Sequence, residues 1–200
     1  IEDTSKMVNP DNVNNIAFRS VIAEAAKVVP ELRAKADVVI AATHMGHYED
    51  GKHGTQAPGD VQMARAVKGI DLGVGGHTQN PACMKAENVL DRAYVPGTEC
   101  KPDRQNGTWI VQAHEWGKYV GRADFEYRNG EFKLVKYALI PVNLKKTVKA
   151  ADGKSSKQNY AEVIAENKDM LALLSPHQAF GQQKLGVHIG ATDGRWEGDR

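Results

Sequence analysis

Apolar positions keep one rhythm up to about residue 107 and another after it. Between about residues 15 and 35, Ile16, Val21, Ile22, Ala25, Val28, Val29 and Leu32 recur near a spacing of 3.6, which predicts a helix with one apolar face. Pro30 inside that run predicts a break or kink. Asp37 to Thr43 is a short continuous apolar run, the pattern of a strand buried on both faces. A loop from His44 to Gly59 follows, with four Gly and three His. Asp60 to Lys68 reads as a short helix and Ile70 to Gly75 as a second buried strand. Helix, strand, loop, helix and strand in that order predict α/β layering.

From Thr108 the pattern turns to strands. Thr108 to Ala113, Tyr119 to Tyr127 and Phe132 to Val142 are strand-like, and Asn129-Gly130 between the last two is a hairpin turn. An antiparallel meander is expected here, with room for it to form a second sheet packed on the first. Trp109, Trp116, Tyr119, Phe125 and Tyr127 are expected in its core. Residues 145–158 read as a solvated loop, and Glu162 to Leu174 as an amphipathic helix stopped by Ser175-Pro176. Lys184 to Ala191 reads as a strand.

The chain has 200 residues, 41% hydrophobic and 26% charged, enough for one or two small domains with a core. A net charge of +1 gives no electrostatic case for nucleic acid or an anionic membrane as partner. No apolar run approaches the roughly 18–20 residues of a membrane span. Ile1-Glu2-Asp3 lacks the basic and apolar regions of a signal peptide, so the chain reads as a processed or excised piece of something longer. Cys83 and Cys100 suit either two buried thiols or a disulfide, and composition leaves both open.

Candidate chemistry sits at two predicted strand ends. Thr43-His44-Met45-Gly46-His47 follows the first buried strand, and Gly75-Gly76-His77-Thr78-Gln79 follows the second. An imidazole on a rigid strand end, with glycines letting backbone approach, suits a metal ion. In extended chain, residues two apart face the same way, so His77 and Gln79 are expected to share a cavity. An amide oxygen suits a hard divalent ion.

The segments VVIAATHMGHYEDG (38–51) and GVGGHTQNPAC (73–83) resemble the last two metal-binding blocks of the calcineurin-like metallophosphoesterases. Residues 106–146 and GRWEGDR (194–200) resemble the bacterial periplasmic 5′-nucleotidase/UDP-sugar hydrolase branch of that family. The resemblance implies a layered metallophosphoesterase-type sheet flanked by helices, as a partial domain with the meander in its second half. It implies that residues 1–143 are the second half of the catalytic domain, 144–182 a loop and linker helix, and 183–200 the start of a C-terminal domain. His44 and His77 are implied ligands of one metal and Gln79 of the other, in a centre with two divalent ions (zinc, manganese or cobalt). Cys83 and Cys100 are implied to form a disulfide, and the location is implied to be periplasmic. The implied substrates are 5′-nucleotides and nucleotide sugars.

The family's first three blocks, with its catalytic His/Asp pair, are missing, so no catalytic residue is expected in this chain. Gly59-Asp60 resembles the second block only superficially and lies out of order. The 200 residues alone are expected to be inactive without the N-terminal half and the C-terminal domain. A non-catalytic periplasmic binding or scaffold module is the alternative, and a structural zinc site is a poorer fit. His47 is expected behind the ligands or near substrate, His53 in solvent, His114 packed or hydrogen-bonded, and His177 and His188 structural. Asp50 and Asp60 are candidates for orienting the loop.

Overall fold

Parallel pairing of the two apolar runs organises the fold. The computed structural model describes Thr4, residues 8–48 and residues 57–187. The chain divides into two compact units, Ile1–Val163 and Ile164–Arg200.

In the first unit, helix α1 (Val21–Arg33) starts at Ser20, whose hydroxyl accepts the Ala23 N–H, and runs unbroken through Pro30. Proline removes one helical N–H there, but Ala26 and Pro30 lie on the exposed side, where water can satisfy the freed carbonyl. Strand β1 (Ile40–Ala42) pairs in parallel with β2 (Leu72–Val74), and β2 in parallel with β6 (Thr108–Val111). Strand β5 (Asp103–Gln105) adds antiparallel to β6, giving the order β1-β2-β6-β5. Helix α2 (Asp60–Ala66) connects β1 and β2. The mixed α/β fold agrees with the expected layering.

One apolar cluster joins Val29 of α1, Met45, Met63 of α2, Val67 and Ile70. A second buries Val61, Ala64 and Ile110 between α2 and the sheet. The helix expected over residues 15–35 is shorter, and its apolar face is only half covered, since Val28 and Leu32 are exposed. Likewise β1 is not buried on both faces. Among the described residues it is an edge strand paired with β2, and Ile40 is 58% exposed.

Between β2 and β5 lie the short strands β3 (Met84–Ala86) and β4 (Val89–Leu90), an antiparallel pair. A Cys83–Cys100 disulfide closes this segment, with Cα atoms 5.4 Å apart. Backbone bonds from Met84 to Lys101 and from Cys100 to Tyr137 pin it down. Strands β7 (Tyr119–Arg128) and β8 (Glu131–Pro141) form a long hairpin. Its tip, Asn129-Gly130, has φ of 52° and 81°, the positive pair of a type I′ turn. Cys83, Tyr119, Tyr137 and Leu139 form the adjoining core.

Several expectations need correction. Residues 145–158 are not a loop: β9 (Lys145–Lys149) and β10 (Ser155–Asn159) form a hairpin. Both faces are largely solvated, so no alternation betrays it. Trp116 is 86% exposed and Tyr127 is 45% exposed, so neither belongs to a core. In the second unit, helix α3 (Lys168–Leu185) begins at Asn167, whose side chain accepts two backbone N–H groups, and continues through Pro176. The helix expected over 162–174 is therefore displaced, and Lys184 and Leu185 are helical rather than strand. Residues 188–191 and GRWEGDR lie outside the described residues. Among those described, no helix is long and apolar enough to cross a membrane.

Candidate metal centre

Because β1 and β2 are parallel neighbours, their carboxyl ends lie side by side, where sites gather in such sheets. The Thr43 N–H donates to the Val74 carbonyl at 2.9 Å and sends the chain on to His44. From Val74 the other strand passes through Gly75 and Gly76 to His77. The imidazoles of His44 and His77 meet edge to face, with ring centroids 5.3 Å apart. A side chain on Gly76 would sit 2.9 Å from His44 Nδ1, so glycine lets the ring lie against backbone. His44 is exposed and His77 half-buried.

The His77–Gln79 segment is not extended. His77 and Gln79 have φ of 75° and 57°, left-handed values that cost non-glycine residues about 1 kcal/mol or more each. The i, i+2 rule for strands therefore does not govern where they point. Gln79 is exposed. Among the described residues, no three His, Cys, Asp or Glu side chains converge as an ion-holding group.

Buried polar groups surround these loops. Asp60, 1% exposed, opens α2; its N–H donates to the Gly46 carbonyl at 2.8 Å, and its Oδ1 accepts the Thr43 hydroxyl at 2.6 Å. Its Oδ2 lies against Gly75, where any side chain would collide with it. Burial pushes this carboxyl up to about 6, against the Thr43 hydrogen bond and the nearby His47 and His44. Asp60 thus bonds the first strand end through Thr43 and packs against Gly75 of the second.

His47 does not reach the surface. Its Nε2–H donates to Asp103 Oδ2 at 2.8 Å, with both side chains fully buried. Burial works against the Asp103 charge, but bonds from His47, the Asn88 N–H and Gln105 prevail and hold the carboxyl below its usual value. The His47 N–H donates to Thr78 Oγ1 at 3.0 Å, and Asn80 Nδ2 donates to the His47 carbonyl at 3.0 Å. These bonds tie the His44 loop to the His77 loop.

His114 stacks on Tyr119, with burial foremost in holding its imidazole below the ordinary value. It is packed, as expected. His177 lies in α3. His53, His188 and Asp50 fall outside the described residues. Sequence reasoning missed Asp103 and Gln112, the polar side chains that brace the loops. The signal for Gln112 was a lone amide at the end of an otherwise apolar strand.

No family model matches the chain. The chain is 60% identical over its whole length to Protein UshA of Escherichia coli and 54% identical to a 5′-nucleotidase of Vibrio vulnificus, covering 37% and 36% of those proteins. A solved structure of the calcineurin-like phosphoesterase YfkN from Bacillus subtilis superposes with a TM-score of 0.57 at 20% identity, over 93% of this chain and 51% of that one. The NAD nucleotidase of Haemophilus influenzae gives 0.54 at 13% identity, over 84% and 32%. Those two likenesses concern the fold. By sequence, the chain belongs with the UshA and 5′-nucleotidase proteins, as a stretch equivalent to a little over a third of the UshA length.

Proposed function

We propose that this chain supplies part of a two-metal phosphoester hydrolase acting on 5′-nucleotides and nucleotide sugars. The observation that carries the reading is the meeting of His44 and His77 at adjacent strand ends, 5.3 Å between ring centroids. With metal–nitrogen bonds of about 2.1 Å, two imidazoles on one ion have centroids roughly 5 Å apart, so the pair fits a shared ion. Gly76, with no side chain, lets backbone lie against Nδ1 of the His44 ring, and His44 is exposed. Gln79, exposed nearby, fits a partner for a second ion through its amide oxygen.

Two divalent ions, when bound, supply Lewis acidity to a phosphate and an activated water. The chain's own residues do the rest of what it contributes. His44 and His77 would hold one ion through their ring nitrogens. Asp60 holds the Thr43 hydroxyl at the first strand end, and the Thr43 N–H bonds the Val74 carbonyl of the second. His47 is braced by Asp103 and fixes the distance between the loops. The remaining ligands and the catalytic His/Asp pair belong, on this reading, to other parts of the complete protein. The Cys83–Cys100 disulfide supports a periplasmic location.

The second reading, a binding or scaffold module, draws on the absence of three converging His, Cys, Asp or Glu side chains among the described residues. One assay separates them. The full-length gene product should release phosphate from 5′-nucleotides with manganese or zinc, His44→Ala should cut the rate at least a hundredfold, and the isolated 200 residues should show no turnover. An unchanged rate in His44→Ala removes that residue from the site, and a full-length protein without turnover favours the scaffold.

A further inference from the structure

Gln112 follows β6, the strand beside β2, and is 2% exposed. Its side chain makes three hydrogen bonds, all to the loop that carries His77 and Gln79. Nε2 donates to the Gly76 carbonyl at 2.8 Å. Oε1 accepts the Asn80 N–H at 2.6 Å and the Thr78 hydroxyl at 3.0 Å. The orientation of the amide is settled by chemistry, since a backbone N–H can only donate and a backbone carbonyl can only accept.

The pattern along the loop is what gives these bonds a consequence. Gln112 bonds residues 76, 78 and 80, and the residues between these points are His77 and Gln79. Both hold left-handed backbone that neither residue favours. The Gln112 bonds on either side of each contribute restraint, alongside the bond between His114 and the Gln79 backbone. The grip extends further, because Thr78 Oγ1 accepts the His47 N–H while it donates to Gln112. Gln112 therefore sets the His77 loop and, through Thr78, the loop of His44.

We propose that Gln112 is the positioning residue of this centre: it fixes the backbone from which His77 and Gln79 reach the ions, and the spacing of His77 from His44. The inference rests on the metal reading of these residues given above. Partners that orient ligands from behind generally matter about 10- to 100-fold in metal affinity.

The test is a cobalt(II) titration of the chelator-stripped full-length gene product, reading both affinity and the visible d–d spectrum. Gln112→Leu removes all three bonds at similar size and should weaken cobalt binding about 10- to 100-fold and alter the spectrum. Gln112→Glu keeps both acceptor roles but loses the donor to Gly76, and should fall between Leu and wild type. Should Gln112→Leu not fold, Gln112→Glu and Thr78→Val carry the test, each with weakened binding and a changed spectrum. Wild-type affinity and spectrum in both would overturn the proposal, as would a lowered melting temperature of the stripped protein with an unaltered cobalt spectrum. His44→Ala is the control for the metal reading. Loss of an ion there, with unaffected Gln112 and Thr78 variants, defeats the positioning role alone. Full cobalt binding by His44→Ala defeats both.

Discussion

Residues 43–47 and 75–80 hold their shape through buried side chains, whereas β7 and β8 hold theirs through the backbone. In the hairpin, ten residues face eleven in a ladder, the turn is local, and most side chains face water. At the strand ends the ladder stops, and Asp60, Asp103 and Gln112 take over from it. A ladder tolerates most substitutions on its solvated face, because its bonds do not involve side chains. A loop held by buried polar side chains concentrates its stability in a few residues, each costly to leave unpaired. That is the arrangement a metal centre needs, since ligands on loops must be held as firmly as ligands on strands.

Substituting glycines gives the strongest contrast. Gly75→Ala drives a methyl into the Asp60 carboxylate and should destabilise the protein by about 1–3 kcal/mol, as overpacking does. Gly153→Ala, at the β9–β10 turn, meets nothing within 4 Å and has only its φ of 81° against it, about 1 kcal/mol. Denaturant melts of both variants measure the difference, and equal losses would erase the distinction between the two kinds of region.

Next comes acid. The Asp103 carboxyl lies below its usual value in the folded state, so it contributes stability above the unfolded pKa of about 3.9, lost as pH falls through the folded value. Asp103→Asn should flatten the pH dependence of stability below about pH 4. It should also lower stability at neutral pH by leaving His47 with a weaker, uncharged partner. Denaturant melts across pH 2–7 on the stripped protein check this. An unchanged slope would mean that the Asp103 carboxyl does not titrate as described.

The smallest effect belongs to the surface. Glu24 and Lys27 on α1 are paired at 3.0 Å, with the lysine 66% exposed. Glu24→Gln should leave stability nearly unchanged, because water and salt screen an exposed pair. A loss comparable to that of Gly75→Ala would show that the helix face matters as much as the strand ends.

Much of the fold was legible because its signals are local. Continuous apolar runs marked β1 and β2, and Asn129-Gly130 marked the β7–β8 turn. The two histidines were legible because each stands directly after such a run, beside glycine. What sequence hid depends on neighbours in space. Ile40 looks buried until β1 proves to be an edge strand among the described residues, and Trp116 looks like core until its left-handed backbone turns it to solvent. The β9–β10 hairpin carries no period because neither face is covered. The link from Gln112 to residues 76–80 spans more than thirty positions, and no spacing rule connects them.

The claim on which the function depends is that His44 and His77 serve one ion. Metal stoichiometry of the full-length gene product, with His44→Ala, His77→Ala and the double variant, tests it most directly. Each single variant should lose one of two tightly held ions, and the double variant should lose that same one and no more. Two ions retained by either single variant, or a double variant stripped of both, would contradict it.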